Sequence, residues 1–361
     1  MTYLLELHPL KNFFFGGPDA FEEANHFTRS EYFAQNTQLL GAIRRHILSS
    51  EGLLKAHKNG LYVPGKKEAS DTDTARAYEL VGGRLESGNL GKIKRLSPLF
   101  VLKMEADTPV DALFPLPLDL LKKDRLLQPA AMQRIGDERL PVDYNAKEGL
   151  YTGLGGRRFW EDYLAARPSC KAKTLRYDKV FLPREQVGIG LDRKEVVEGM
   201  FYRKTDYTLE SDYRFGVLLQ SDYRPKEGLL TLGAEQSVFR LKVHELEDLE
   251  TLADHPVLTA IGRDHEPTTK WISLGEAMLD TRDEAIDFAF TPWPKTEKRL
   301  DYYGKDRNYR FKGKTPGTPL APRGSVIYFR EPGHPPQAPD HLSRIGYNLF
   351  IPIFHKEQPH V

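Results

Sequence analysis

The sequence predicts an α+β fold, and three observations carry the prediction. Thr2 to Leu7 is a short apolar run that reads as a first, buried strand. NTQLLGAIRRHIL, from Asn36 to Leu48, has helical periodicity. A late group of runs between residues 181 and 243 alternates with the period of two that marks strands. One helix between an early strand and a late group of strands fits a ferredoxin-like unit, βαββαβ, with a large insertion before its second strand. The expected division is a first unit over residues 1–245, with its insertion at about 55–180, and a second, less regular unit over 246–361.

The first strand leads into KNFFFGGPDA, where three phenylalanines meet a Gly-Gly-Pro turn. The aromatic cluster serves either as core edge or as a stacking platform for bases, and core is the simpler reading. In the helix, Asn36 or Thr37 is placed to cap the start. Leu39, Leu40, Ile43, Ile47 and Leu48 form one apolar arc. Gly41 weakens the helix by about 1 kcal/mol relative to Ala and suggests a close backbone neighbour. Arg44 falls inside the edge of the arc, so it needs a carboxylate, a set of carbonyls or a phosphate. Its stem can also pack while its head reaches water. Arg45 lies on the open side.

Residues 55–150 break the pattern, with short strands at Gly60 to Val63 and Leu99 to Met104 among Pro-rich and Gly-rich loops. GLYTGLGGRR follows. It matches neither a dinucleotide fingerprint nor a P-loop, but glycine amides beside Arg157 and Arg158 suit a phosphate. FWEDYL, from Phe159, reads as the start of a helix. Val196 to Leu209 alternates basic and aromatic residues: Phe201 and Arg203 share one face, Tyr202 and Lys204 the other. Tyr213 to Leu219 and Val238 to Val243 supply partner strands. In the latter, Phe239 and Leu241 face one way, Arg240 and Lys242 the other. Leu246 to Leu252 reads as an amphipathic helix, Lys270 to Leu279 holds a short strand, SVIYF is a strand, and RIGYNLFIPIF closes the chain with a last one.

Of the 361 residues, 40% are apolar, enough for a sizeable core, and 52 basic residues against 51 acidic give a formal charge of +1. Bulk charge announces no polyanion binder, but its distribution is uneven. Residues 151–194 carry ten Lys/Arg against five Asp/Glu, residues 295–314 eight against three, and residues 244–290 three against twelve. Two basic blocks and one acidic block suggest a polyanionic partner and a separate protein partner. A single cysteine, Cys170, excludes an intrachain disulfide and a cysteine-based zinc site, and suits a reducing, cytoplasmic compartment. No signal peptide or membrane span is evident in the sequence.

LLGAIRRHIL, then LSPLFVLK with FPLPLDLL, then QVGIGLDRKEVVEGMFYR, LLTLGAEQSVFRLKV, PRGSVIYF and RIGYN occur in an order and spacing that resemble the RAMP superfamily of CRISPR proteins. Within it, the chain resembles the family of third subunits of type III-B Cmr effector complexes. The resemblance implies two ferredoxin-like (RRM-like) domains side by side. It implies a non-catalytic subunit, without cofactor, that caps the 5′ tag of a guide RNA. It also implies docking on the large polymerase/cyclase-like subunit and contact with neighbouring RAMP subunits. RIGYNLF has one glycine where the superfamily often has a glycine-rich loop, and Ala234 stands where a second glycine is typical.

The enzymatic alternative from the same superfamily is a metal-independent endoribonuclease acting on repeat RNA. It needs a general acid or base, for which His26 and His46 are the candidates. A third reading is a scaffold whose basic blocks are incidental. There is no HExxH motif and no paired metal-ligand spacing, and the run around His244 reads as a solvated acidic face. The residues expected to touch RNA are Arg44, Arg45, Arg157, Arg158, Lys204 and Arg240, with Phe201 or Tyr202 stacking on bases.

Overall fold

The computed structural model describes the chain except residues 17–26, 55, 58–59, 62–70, 124–125, 137, 143–149, 168, 171–172, 193–194, 234, 280–282, 293–294, 298–299, 304–309, 315–317 and 354–361. Its frame is an eight-stranded antiparallel sheet. In spatial order the strands are Gly228–Leu232, Ser237–Glu245, Thr2–Pro9, Tyr213–Ser221, Phe100–Glu105, Thr108–Pro115 and Leu154–Gly155, with Ile93–Leu96 also pairing with Tyr213–Ser221. Thr2–Pro9 is central because its residues alternate between two apolar layers. Tyr3, Leu5 and Leu7 join one core and Leu4 joins the other.

The first core lies under helices α1 (Asn36–Ser50) and α2 (Asp71–Val81). Leu39, Ile43 and Ile47 of α1 meet Val217, Leu219, Leu241 and Val243 of the sheet there. Phe13 and Phe15 complete this layer against Phe215 and Phe239, with ring centroids 5.2–6.1 Å apart, so the FFF run is core. The second core joins Phe100, Leu102, Phe114 and Leu218 to helix α3 (Arg157–Leu164) and to Ile272, Val326, Tyr328 and Ile351 of a second sheet. That sheet has the order Ile286–Phe290, Val326–Gly333, Thr268–Ser273, Phe350–Pro352 and is antiparallel throughout. A third element is the ribbon of Phe181–Asp192 and Glu195–Leu209, with Phe27–Arg29 added in parallel.

The fold is mixed α/β, rich in strands and poor in helix, and it departs from the expected layout in three places. Thr2–Pro9 is followed by α1, and Ile93–Leu96 lies in the same sheet with Tyr213–Ser221 between the two strands. The return to the far side of Thr2–Pro9 passes through the strand Gly228–Leu232, and among the described residues no helix lies between Ser221 and Ser237. Residues 93–115, read as part of an insertion, supply three strands to the main sheet because their apolar residues match both its layers. Among the described residues beyond 246 the helices are single turns, Glu250–Ala253, Pro256–Ala260 and Asp340–Ser343, and a 3-10 turn at Leu246–Asp248 replaces part of the expected amphipathic helix.

Local details correct the helix reading too. Gln35 precedes α1 with no side-chain cap. Asn36 is the first helical residue, fully buried, and its Oδ1 accepts from Arg323 Nη2 at 3.3 Å. Arg323 also donates to the carbonyls of Leu99 (2.7 Å) and Ala34 (3.1 Å), tying helix, sheet and C-terminal segment together. Gly41 is exposed with nothing within 4 Å of where a Cβ would sit, so it marks no close approach. Gly233 does: its φ is +96° and a Cβ there would lie 2.3 Å from the Phe14 carbonyl oxygen.

Candidate nucleic-acid interface

Strand Ser237–Glu245 sorts its side chains as the alternation predicts. Phe239, Leu241 and Val243 are buried on the α1 side, while Arg240 and Lys242 project to the opposite face. Toward Pro9 this opposite face is open. Leu229 is 60% exposed and Val238 41%, and Leu10, whose N–H bonds to the Val238 carbonyl, is also exposed. The register sets Leu229 beside Arg240 and Arg240 beside His8. Arg214, on the next strand, also influences His8 electrostatically. Exposed apolar area interleaved with cations suits a single-stranded nucleic acid, whose bases take the apolar contacts and whose phosphates take the charges.

Electrostatics across this face are set by a buried carboxylate. Glu6 is 1% exposed, 3.0 Å from His244 Nε2 and 3.8 Å from Lys242 Nζ. Lys242 is thus partly balanced, while Arg240 is exposed toward solvent. Burial, then Arg214 and Arg240, hold the His8 imidazole below its usual range, with Glu6 and Asp107 acting the other way. Arg214 spends Nη1 on the carbonyls of Ser211 (2.6 Å) and Tyr213 (2.8 Å).

The other expected cations are not gathered here. Lys204 is buried, paired with Glu235 and with Asp206 at 3.1 Å, and its ammonium lies 4.7 Å from the Phe14 ring centroid. It is spent inside the chain. Phe201 and Tyr202 belong to the ribbon strand Glu195–Leu209, and their side chains lie outside the described residues.

Arg157 and Arg158 open α3, on the far edge of the sheet from Arg240. The phosphate cradle anticipated there is occupied by Asp111. Asp111 Oδ1 accepts the Arg157 N–H at 3.1 Å and the Ala112 N–H at 2.8 Å, and a Cβ on Gly156 would meet Oδ2 at 2.3 Å. The helix N-terminus therefore already holds a carboxylate. Arg157 Nη2 donates to the Thr251 carbonyl at 2.8 Å, while Arg158 is exposed.

Helix α1 lies on the opposite side of the sheet from the Arg240 face. Arg44 donates to the carbonyls of Gly83 (2.9 Å) and Asn89 (3.2 Å), so it anchors α1 to the loop after α2. Burial lowers its guanidinium to about 10. Arg45 is half-buried. His46 is buried, its Nε2 2.7 Å from the Lys226 carbonyl and its Nδ1 3.2 Å from that of Leu229, in the place of a structural histidine. His26 lies outside the described residues.

Two groups escaped the sequence reading. His8 had a legible signal, because positions 4, 6 and 8 of the first strand share a face. The second had none. Lys270 and Asp119, 2.6 Å apart and about 1% exposed or less, sit in the second core, where the phenols of Tyr163 and Tyr328 each donate to Asp119 at 2.8 Å. Elsewhere, Glu247, Asp248, Glu250, Asp254, Asp264 and Glu266 are exposed, so the acidic block is a surface. Among the described residues no helix is long and apolar enough to cross a membrane.

Comparison with known proteins adds the following. A family model described as CRISPR-associated protein (Cas_Cmr3) matches residues 5–263. No curated protein matches the chain. Among solved structures it resembles a chain of the type III-B Cmr-beta complex bound to cognate target RNA and AMPPnP, at 11% identity and a TM-score of 0.50, covering 98% of this chain and 97% of that one. A second Cmr-beta chain, bound to cognate target RNA, aligns at 10% identity and a TM-score of 0.44 over 91% of this chain and 86% of the other. A chain of the Csm3–Csm4 subcomplex of a type III-A interference complex aligns at 12% identity and a TM-score of 0.37 over 93% and 95%.

Proposed function

The chain belongs to the CRISPR-associated Cas_Cmr3 family, and from that membership we propose that it is a non-catalytic, guide-RNA-binding subunit of a type III-B effector complex. It caps the 5′ tag end of the guide and docks on the large polymerase/cyclase-like subunit beside neighbouring RAMP subunits. The observation that carries the RNA reading is the open sheet face of Leu229, Val238, Arg240 and Lys242, with exposed apolar surface beside cations. Arg45 and Arg158 remain candidates for phosphate contact outside that face. The exposed acids between Glu247 and Glu266 favour a basic protein surface and repel RNA, so they support the docking role.

The test uses the purified full chain and a guide RNA carrying its 5′ tag. Arg240→Ala with Lys242→Ala weakens binding, and the plot of log affinity against log salt becomes shallower by about 0.7 for each phosphate contact removed. Unchanged affinity and slope would refute the assignment of this face. The nuclease alternative is checked by incubating the chain with repeat RNA: the RNA stays intact on this reading, whereas cleavage abolished by His26→Ala would establish the alternative.

A further inference from the structure

One group on the open face has no role in the reading above. His8 stands next to Arg240 across the strand pair, close enough to Arg214 to feel its charge, and half-buried. A neutral imidazole between two guanidinium groups is poorly placed to accept a third charge while the face is empty. A phosphate beside Arg240 would reverse that balance. We propose that His8 is a further contact of this face, becoming an imidazolium when the phosphates of single-stranded RNA settle beside Arg240, so that RNA binding takes up a proton. The inference rests on the reading of this face as the RNA surface.

Four charged groups act on His8. From its own strand comes Glu6, engaged by His244 and Lys242. From Tyr213–Ser221 comes Arg214, from Ser237–Glu245 comes Arg240, and from the turn after Phe100–Glu105 comes exposed Asp107. Glu6 already has two partners, and Asp107 is 78% exposed and 4.0 Å from Arg214, so neither cancels both guanidiniums at His8. The step itself is simple. The imidazole nitrogen takes one proton from solvent, the ring becomes a cation, and its N–H donates to a phosphate oxygen.

The sign follows from linkage. The free chain holds His8 below its ordinary value, and the anion raises it in the complex. The complex therefore binds more protons than the separated partners. Affinity rises as pH falls through the window between the two His8 values and is level outside it. Each unit separating those values is worth up to about tenfold in affinity.

The experiment measures binding of the full chain to a labelled single-stranded oligoribonucleotide between about pH 5.5 and 8, across the range where histidine titrates, at constant ionic strength. The expected result is affinity that falls by roughly threefold to tenfold as pH rises through the window, with a slope that flattens in His8→Gln. Histidine NMR titration of the unsubstituted chain with and without RNA reads the same proton directly and does not depend on the variant folding. The expected result there is a His8 titration shifted to higher pH by RNA. RNA binding with a flat pH profile, or an unshifted His8, overturns this inference and leaves the RNA reading standing. No RNA binding at any pH overturns both.

Discussion

Lys204 and Arg240 both sit on strands that alternate basic and apolar residues, yet their surroundings give them opposite roles. Lys204 is enclosed by Asp206, Glu235 and Phe14, whereas Arg240 faces solvent beside His8. Asp206, two residues on, shares its strand face, but Glu235 comes from 31 residues downstream and Phe14 from before α1, and no spacing rule reveals those two. Lys270 shows the same logic in the core, where a charge is tolerated because Asp119 and two tyrosine rings receive it. Asp119→Ala leaves an uncompensated buried ammonium and lowers stability by about 3–5 kcal/mol in denaturant unfolding. The test of this account is the double variant Asp119→Leu with Lys270→Met, which removes the buried charge and recovers the part of the loss due to it, while the Tyr163 and Tyr328 hydroxyls still lack their acceptor. His46→Ala removes the ring that packs between the Lys226 and Leu229 carbonyls, with the one hydrogen bond its N–H makes there, and costs about 1–3 kcal/mol. Affinity of the folded fraction for RNA stays as in the unsubstituted chain, and a loss of RNA affinity at unchanged stability would contradict the structural role.

At the scale of elements, α1 and the outer strands were readable because each buries one clean stripe or face. The arc Leu39, Leu40, Ile43, Ile47 gave the helix, and the alternation around Arg240 gave both the strand and its open side. Phe100–Glu105 and Thr108–Pro115 were harder to assign to the main sheet for the opposite reason. Largely buried on both faces, they carry no clean alternation that marks a solvent side, and Pro-rich loops surround them. The α3 start misled for a different reason. Gly156 and its neighbours do surround an anion, but the anion is Asp111 of the same chain. Gly216 tests how closely the sheet packs on its second face, because a Cβ there would lie 2.4 Å from Phe100 Cε2. Gly216→Ala is expected to lower stability by about 1–3 kcal/mol through overpacking. A neutral result in thermal or denaturant unfolding would mean that Phe100 can turn aside at no cost.

For the whole molecule, two surfaces of opposite sign matter more than the near-zero net charge. The Arg240 face and the acids from Glu247 to Glu266 occupy different parts of the chain, which on the proposed function would sort a polyanion and a basic protein to different places. Reversing Glu247, Asp248 and Glu250 to Lys is expected to weaken co-purification with the large subunit while leaving RNA affinity no lower than before, by pull-down and by RNA titration of the same preparation. The central claim, that this chain holds the 5′ end of a guide RNA, is tested most directly by isolating it together with the products of neighbouring genes and sequencing the RNA that comes with it. The account predicts short RNAs sharing one 5′ end, depleted when Arg240 and Lys242 are both replaced by Ala. RNA with scattered 5′ ends, or a complex from which no RNA can be extracted, would contradict it.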